Sequence, residues 1–521
     1  MTESVSIKQG VVTGAVSGDG AVAAYLGIRF AAAPIGDLRW QPPQPLPAGS
    51  ESVMATQRGP ICPQYPVPVD CVLPLGDELQ DEDCLFLNVW RPVDRSGERL
   101  PVIMWSHLGA FQLGSGSAPI YDGSNWARAG VVFVTPNYRL NKFGFLAHPA
   151  LSAEQGGRSG NYGLLDQIAA LEWIRDNIAE FGGDPDCVTI AGISAGASSV
   201  SLLMASPRAR GLFHRAICES GGSFGPVLSR TACGDAWQHL AGAEASGQTW
   251  ADRLEVSDTA ALRAMSAAEI KAASEPDWTD NEGVFDAAQP IVDGVVLEEG
   301  SFAHFAAGRQ APVPLLVGSA ANEDLLVPFS PTLEVYERDV ARSYGEWAPA
   351  FKALYPASTD AEAVAASMKA NSHRLFTWQN WTMARLHAAA GHDTYYYRFQ
   401  MVPPVPPGRH PEQALPRPLG AFHGASMFYS FQNFDARDWP WRSEDFALSQ
   451  AMVEAWTTFA RTGKPVSVQL PQWQRFDPSE PRVMLLDAEP KISAVPDQPF
   501  IEFWNKFNAA RSDSALAPAT A

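Results

Sequence analysis

Ser194 is the residue of this 521-residue chain whose setting most strongly suggests chemistry. It stands at the centre of Gly192-Ile193-Ser194-Ala195-Gly196, with a glycine two residues away on either side. A hydroxyl that is to attack a substrate must be exposed at a sharp turn, and such a turn leaves no room for side chains at its flanks. The neighbours fit: Val188 to Ala191 reads as a short buried strand, and Ala195 to Met204 is rich in small and apolar residues suited to a packed helix. The pentapeptide alone could be a coincidence in a loop; between a strand and a helix it reads as a nucleophile elbow. A serine hydroxyl is a poor nucleophile until an imidazole accepts its proton, and the imidazole later returns that proton to the leaving group. A buried carboxylate fixes the imidazole tautomer and stabilises the imidazolium.

The elements that must position such groups alternate along the chain. Strand candidates occur at Val102–Trp105, Val131–Val134, the elbow strand, Ala216–Cys218 and Leu315–Val317. Their near-continuous apolar runs suit parallel strands covered on both faces. Between them, Leu164, Ile168, Leu171, Ile174 and Ile178 form a helical stripe ended by Gly182-Gly183. A second stripe, Leu448, Met452, Trp456 and Phe459, has Glu444 and Asp445 in its first turn and stops at Gly463 and Pro465. The alternation predicts an α/β fold, with a mostly parallel central sheet and helices on both faces. Gly10, Gly14, Gly18, Gly20 and Gly27 punctuate a β-hairpin region at the start, and a Pro-rich segment runs from Pro42 to Pro74. We expect one catalytic domain over 1–510 with helical insertions at about 224–312 and 325–390, and a disordered tail over 511–521, rich in Ala, Ser and Pro.

Composition narrows the function classes. A formal net charge of −19 without any Lys/Arg run argues against nucleic acid as a partner. No run of about 18 apolar residues predicts a membrane span. The start, Met1 to Lys8, lacks the basic and apolar regions of a secretory signal, so the chain is cytoplasmic if complete, and secreted or periplasmic if a signal has been removed. Six cysteines lack zinc-type spacing and are too sparse for a disulfide scaffold; Cys187 and Cys218 read as buried thiols. No motif calls for a metal or a cofactor.

The whole segment from Phe181 to Gly196, together with Glu82-Asp83-Cys84-Leu85-Phe86-Leu87-Asn88-Val89-Trp90-Arg91-Pro92, resembles the two diagnostic segments of the type-B carboxylesterases, the esterase and cholinesterase branch of the α/β-hydrolases. Gly27 to Phe30, Leu38 to Pro43, Asn137 to Leu140 and Asn161 to Gln167 extend the resemblance over nearly the whole chain. It implies an α/β-hydrolase fold, cleavage of a small-molecule ester without a cofactor, and a triad in the order Ser, Glu, His. Glu323 matches the acid, at the family's spacing of five from Gly318; Asp324, where the family usually has glycine, is a competing carboxylate. His423, in Ala421-Phe422-His423-Gly424 after the strand candidate Thr394–Phe399, matches the histidine. Ser220 matches a second serine that supports the acid, or is simply a turn residue.

The family's His-Gly-Gly-Gly-Phe loop, which supplies oxyanion donors, reads here His107-Leu108-Gly109-Ala110-Phe111. Backbone N–H groups of Gly109, Ala110 and Ala195 are the candidate oxyanion hole, with backbone strain expected at Leu108. Cys62 and Cys84 look like the family's N-terminal disulfide pair, for which Cys71 could compete; Cys233 has no obvious partner. Two carboxylates that approach each other behind the family's triad are replaced by Ile193 and Ser426. Their joint loss predicts a less negative pocket floor and substrates that are neutral esters or esters of an anionic acid; neutral drift within a packing-compatible pair is the other reading. Gly76 to Gln80 lacks the upstream tryptophan that binds quaternary ammonium in the choline branch. The alternative function is a non-catalytic esterase-like binding or adhesion module, which usually lacks triad residues. Oligomeric state is left open.

Overall fold

Apolar runs too long to be half-solvated become parallel strands in the centre of the chain. The computed structural model describes residues 1–515 except 66–72, 74–75, 77, 95–96, 225–238, 257, 275–287, 324–328 and 408–418. Its strands are β1 Thr2–Ile7, β2 Gly10–Val16, β3 Val22–Arg29, β4 Glu51–Met54, β5 Phe86–Pro92, β6 Leu100–Ser106, β7 Val132–Pro136, β8 Gly183–Ile193, β9 Arg215–Glu219, β10 Leu315–Ala320, β11 Thr394–Phe399, β12 Arg482–Leu486 and β13 Lys491–Ala494. Among the described residues these form one sheet in the order β1-β2-β3-β5-β7-β6-β8-β9-β10-β11-β12-β13, with β4 beside β2. From β7 to β12 every pairing is parallel. Apart from the parallel β2–β4 pair, the pairings at the two ends of the sheet are antiparallel.

Side chains alternate between the two faces, and the core splits accordingly. Val102, Met104, Val188, Ile190, Ala216 and Cys218 join the cluster that contains helices Tyr162–Asn177 and Ala195–Ala205. Ile103, Trp105, Ala191, Ile193, Ile217 and Leu316 join the opposite cluster, with helix Ser443–Thr462. Helix Tyr162–Asn177 passes into a short turn that ends at Gly182, φ 81°, and helix Ser443–Thr462 ends at Gly463, φ 77°, as the glycine positions predicted. The mostly parallel sheet with helices on both faces is the α/β-hydrolase architecture.

Several elements differ from expectation. The elbow strand starts at Gly183 rather than Val188, and β4 lies within the Pro-rich segment as an exposed edge strand. The stretches 224–312 and 325–390 hold helices and, among the described residues, no strand beyond an isolated bridge. The expected disorder from Arg511 is corrected for its first part, because helix Gln498–Ala515 continues through it. Phe503, Trp504 and Phe507 bury one face of that helix against Tyr344, Trp347 and Phe351, and no helix breaker follows before Ala515. Residues 516–521 lie outside the described ones. No described helix is long and apolar enough to cross a membrane, and no cluster of described His, Cys, Asp and Glu could hold a metal ion.

Candidate active site

Ser194 joins β8 to helix Ala195–Ala205 with φ 57° and ψ −121°, a conformation that costs a non-glycine residue of the order of 1–3 kcal/mol. Its neighbours enforce it. A Cβ on Gly196 would lie 2.0 Å from the Ser106 carbonyl oxygen, and one on Gly192 would lie 2.6 Å from the Gly196 carbonyl carbon. Backbone bonds hold the turn, with the Ser194 N–H donating to Glu219 O at 3.0 Å and Ser198 N–H donating to Ser194 O at 2.9 Å. The side chain sits at the carboxyl end of a central parallel strand, where open α/β sheets place their ligands.

Glu323 and His423 meet at the same end of the sheet. His423 Nδ1 pairs with Glu323 Oε2 at 2.5 Å; Glu323 is fully buried and His423 is 4% exposed. With Nδ1 donating to the carboxylate, Nε2 is the nitrogen left to accept a proton. The other carboxylate oxygen accepts the Ala320 N–H at 2.6 Å, so the acid is held from two directions. The Ser220 hydroxyl accepts from that same Ala320 N–H at 3.3 Å, and Ser220 is also a turn residue with φ 50°. A continuous ladder runs from the serine to the acid: Ser194 N–H to Glu219 O, then Ser220 N–H to Gly318 O at 2.7 Å, then Ala320 to Glu323. Asp324 lies outside the described residues.

Residues that the sequence did not single out fix this pair. Asn322 exchanges two bonds with Ala421, N–H to O and N–H to Oδ1, both at 3.0 Å, which ties the acid loop to the histidine loop. Ser372 Oγ accepts the Glu323 N–H at 3.2 Å. Arg398 on β11 donates to Ser319 Oγ at 3.0 Å and Ala321 O at 3.2 Å. A π-helical turn, His373–Thr377, places the Phe376 ring 4.5 Å from that of His423. Only Asn322 carried a local signal, since it adjoins Glu323.

The loop after β6 carries the candidate oxyanion donors. His107 is buried and stacks on Tyr138 at 4.2 Å, and its Nδ1 pairs with Leu108 O at 2.7 Å. Burial lowers its pKa to about 4, so it is neutral at physiological pH. The strain expected at Leu108 is not there: Leu108 has no left-handed backbone, and its side chain is buried in the same cluster as Trp105 and Ile193. It falls instead on Ala110, φ 54°, and Phe111, φ 63°. A left-handed alanine costs roughly 1–2 kcal/mol, so the second glycine replacement is the demanding one. Gly109, φ 126°, must stay glycine, because a Cβ would come within 1.8 Å of Leu113 O. The N–H groups of Gly109, Ala110 and Ala195 meet no protein acceptor among the described residues.

The expected less negative floor is also corrected. Ser426 and Ile193 are both present and buried, yet a carboxylate stands between them. Glu219, fully buried, accepts from Ser426 Oγ at 2.9 Å and from Trp456 Nε1 at 2.8 Å. The sequence signal was a glutamate closing the apolar run Ala216-Ile217-Cys218, where only Ser220 was singled out. Cys62 and Cys84 are both buried free thiols; contact with Cys62 and burial push the Cys84 thiol well up. Cys218 is buried and Cys187 is partly exposed; Cys71 and Cys233 lie outside the described residues.

Known proteins resemble this chain over most of its length. The model of the carboxylesterase family matches residues 1–504. The chain is 35% identical over 502 residues to a fumonisin B1 esterase of Sphingopyxis macrogoltabida, covering 91% of this chain and 86% of that protein. It is 34% identical over 511 residues to a para-nitrobenzyl esterase of Bacillus subtilis (strain 168), covering 95% and 96%. A solved structure of PNB esterase superposes with a TM-score of 0.81 at 31% identity, over 97% of this chain and 99% of that one. The chain therefore belongs to the carboxylesterase family, with the α/β-hydrolase fold, and is a carboxylic ester hydrolase.

Proposed function

We propose that the protein cleaves small carboxylic esters through an acyl-enzyme on Ser194, with His423 as general base and then acid, and Glu323 as the orienting carboxylate. The observation that carries this reading is the 2.5 Å Glu323–His423 pair, at the sheet end where Ser194 is held in the elbow. Ser194 Oγ bonds to the ester carbonyl carbon while its proton passes to His423 Nε2. The backbone N–H groups of Gly109, Ala110 and Ala195 stabilise the oxygen anion. The tetrahedral intermediate collapses, the C–O bond to the alcohol breaks, and the alcohol leaves with the proton from His423. Water activated by the same imidazole then hydrolyses the acyl-enzyme.

Membership of the family sets the reaction and not the ester: the relatives named above are called after fumonisin B1 and para-nitrobenzyl esters. For this chain we propose neutral or carboxylate-bearing esters. Ile193, beside the nucleophile, is uncharged, and both oxygens of Glu219 are engaged by Ser426 and Trp456. Glu219 is fully buried, so a substrate ammonium group would shed water there without a carboxylate in contact to pair with. Among matched neutral, cationic and carboxylate-bearing esters, kcat/KM for the cationic one is expected to be lower by at least about tenfold, some 1.4 kcal/mol. A preference for the cationic ester overturns the substrate reading, and hydrolysis of none of them would favour a binding module.

A further inference from the structure

Ile193 and Glu219 are register partners on adjacent parallel strands, so their side chains share one face of the sheet. That face carries Ile217 and Trp105 and is covered by helix Ser443–Thr462. Glu219 is linked to three elements at once. Its carbonyl oxygen holds the Ser194 N–H, its Oε2 accepts from Ser426, and its Oε1 accepts from Trp456. Ser426 begins the short helix Ser426–Ser430, three residues after His423, and the turn between them is closed by Ala425 N–H to Phe422 O at 2.9 Å and Met427 N–H to Gly424 O at 3.1 Å. A fully buried carboxylate with two donors, between the nucleophile's strand and the short helix that follows the histidine, has no assigned part in the triad chemistry.

Resting on the triad reading above, we propose that Glu219 is a positioning residue that acts through His423: its negative charge, set behind the elbow, favours the imidazolium that forms when His423 takes the Ser194 proton. The carboxylate thus stands one strand away from Ile193, doing on β9 what no side chain at Ile193 or Ser426 can do in this chain. The link to the histidine runs through Ser426, which bonds Glu219 Oε2 at 2.9 Å and lies three residues after His423 in the chain.

The surroundings make this charge depend on pH. Burial pushes the Glu219 carboxyl up, opposed by the Trp456 and Ser426 hydrogen bonds, to about 7. The titratable groups that face it are Cys218 on its own strand, Tyr121 from the turn Pro119–Tyr121 and Tyr397 from β11, each pushed up chiefly by burial and so neutral near pH 7. From β8 it meets Ile193 and from helix Ser443–Thr462 it meets Trp456. Protonated, the carboxyl keeps both contacts, since one oxygen still accepts from Trp456 and the other can donate to Ser426. A glutamine reproduces that neutral arrangement at every pH.

The test compares the full chain with Glu219→Gln on a neutral p-nitrophenyl ester. The ratio of their kcat/KM values is expected to be near 1 below about pH 6 and to rise to about tenfold above about pH 8, following ionisation of the carboxyl. A ratio that does not change with pH overturns the proposal, because a packing role alone moves activity equally at all pH. Ser426→Ala removes one donor to the ionised form, so its activity is expected to rise with pH along a curve displaced to higher pH; an undisplaced curve also overturns it. Denaturant unfolding reads the titration without catalysis. A carboxyl raised from 4.5 to about 7 binds its proton more tightly in the folded state, so wild-type stability falls relative to Glu219→Gln as pH rises through that window. If that stability trend is present while neither protein turns over any ester, the triad reading has failed and not the placement of Glu219.

Discussion

Ser194→Ala is expected to lower kcat/KM for a neutral p-nitrophenyl ester by on the order of a millionfold, with the fold intact. The bonds that hold the elbow are backbone bonds, Ser194 N–H to Glu219 O and Ser198 N–H to Ser194 O, and an alanine makes both. The left-handed φ of 57° is no more costly for alanine than for serine. What is lost is the only oxygen at the tip of β8 that can bond to a carbonyl carbon. The thermal unfolding midpoint should therefore move by no more than a few degrees while turnover collapses. A variant that kept more than about a hundredth of wild-type activity would place the nucleophile elsewhere.

Glu323→Gln is expected to cost about ten-thousandfold in kcat. The Ala320 N–H needs an acceptor, so the amide oxygen stays on it and the NH2 group turns to His423 Nδ1. A donor facing Nδ1 forces the imidazole proton onto Nε2, the nitrogen that must accept from Ser194. The shape of the site is kept and the tautomer is wrong, so kcat falls much more than KM rises. Retention of near wild-type kcat would transfer the orienting role to another carboxylate, of which Asp324 is the neighbour in sequence.

How much of this site could be read from residues alone follows from which constraints are local. Ser194 was legible because Gly192 and Gly196 record in sequence a collision that the folded turn would otherwise suffer. Glu323 and His423 carry no such record. They lie 100 residues apart in loops and meet through the parallel pairing of β10 with β11 and the Asn322–Ala421 link, so only the family resemblance pointed to them. The strain expected at Leu108 is found at Ala110, because a replaced glycine does not reveal which φ it had. The charge behind the elbow is hidden from the sequence because strand register, which puts Glu219 beside Ile193, is not written in either segment. The apolar runs of β6 to β10 read as buried strands, whereas β13 has only four residues and none of them is buried.

Covalent labelling with an organophosphonate, followed by peptide mass spectrometry, reads directly whether Ser194 forms the acyl-enzyme. One phosphonyl adduct per chain is expected, on the peptide that contains Ser194, with activity lost in step with labelling and no adduct on Ser194→Ala. Catalytically competent protein that stays unlabelled, or that is labelled equally in Ser194→Ala, would contradict it.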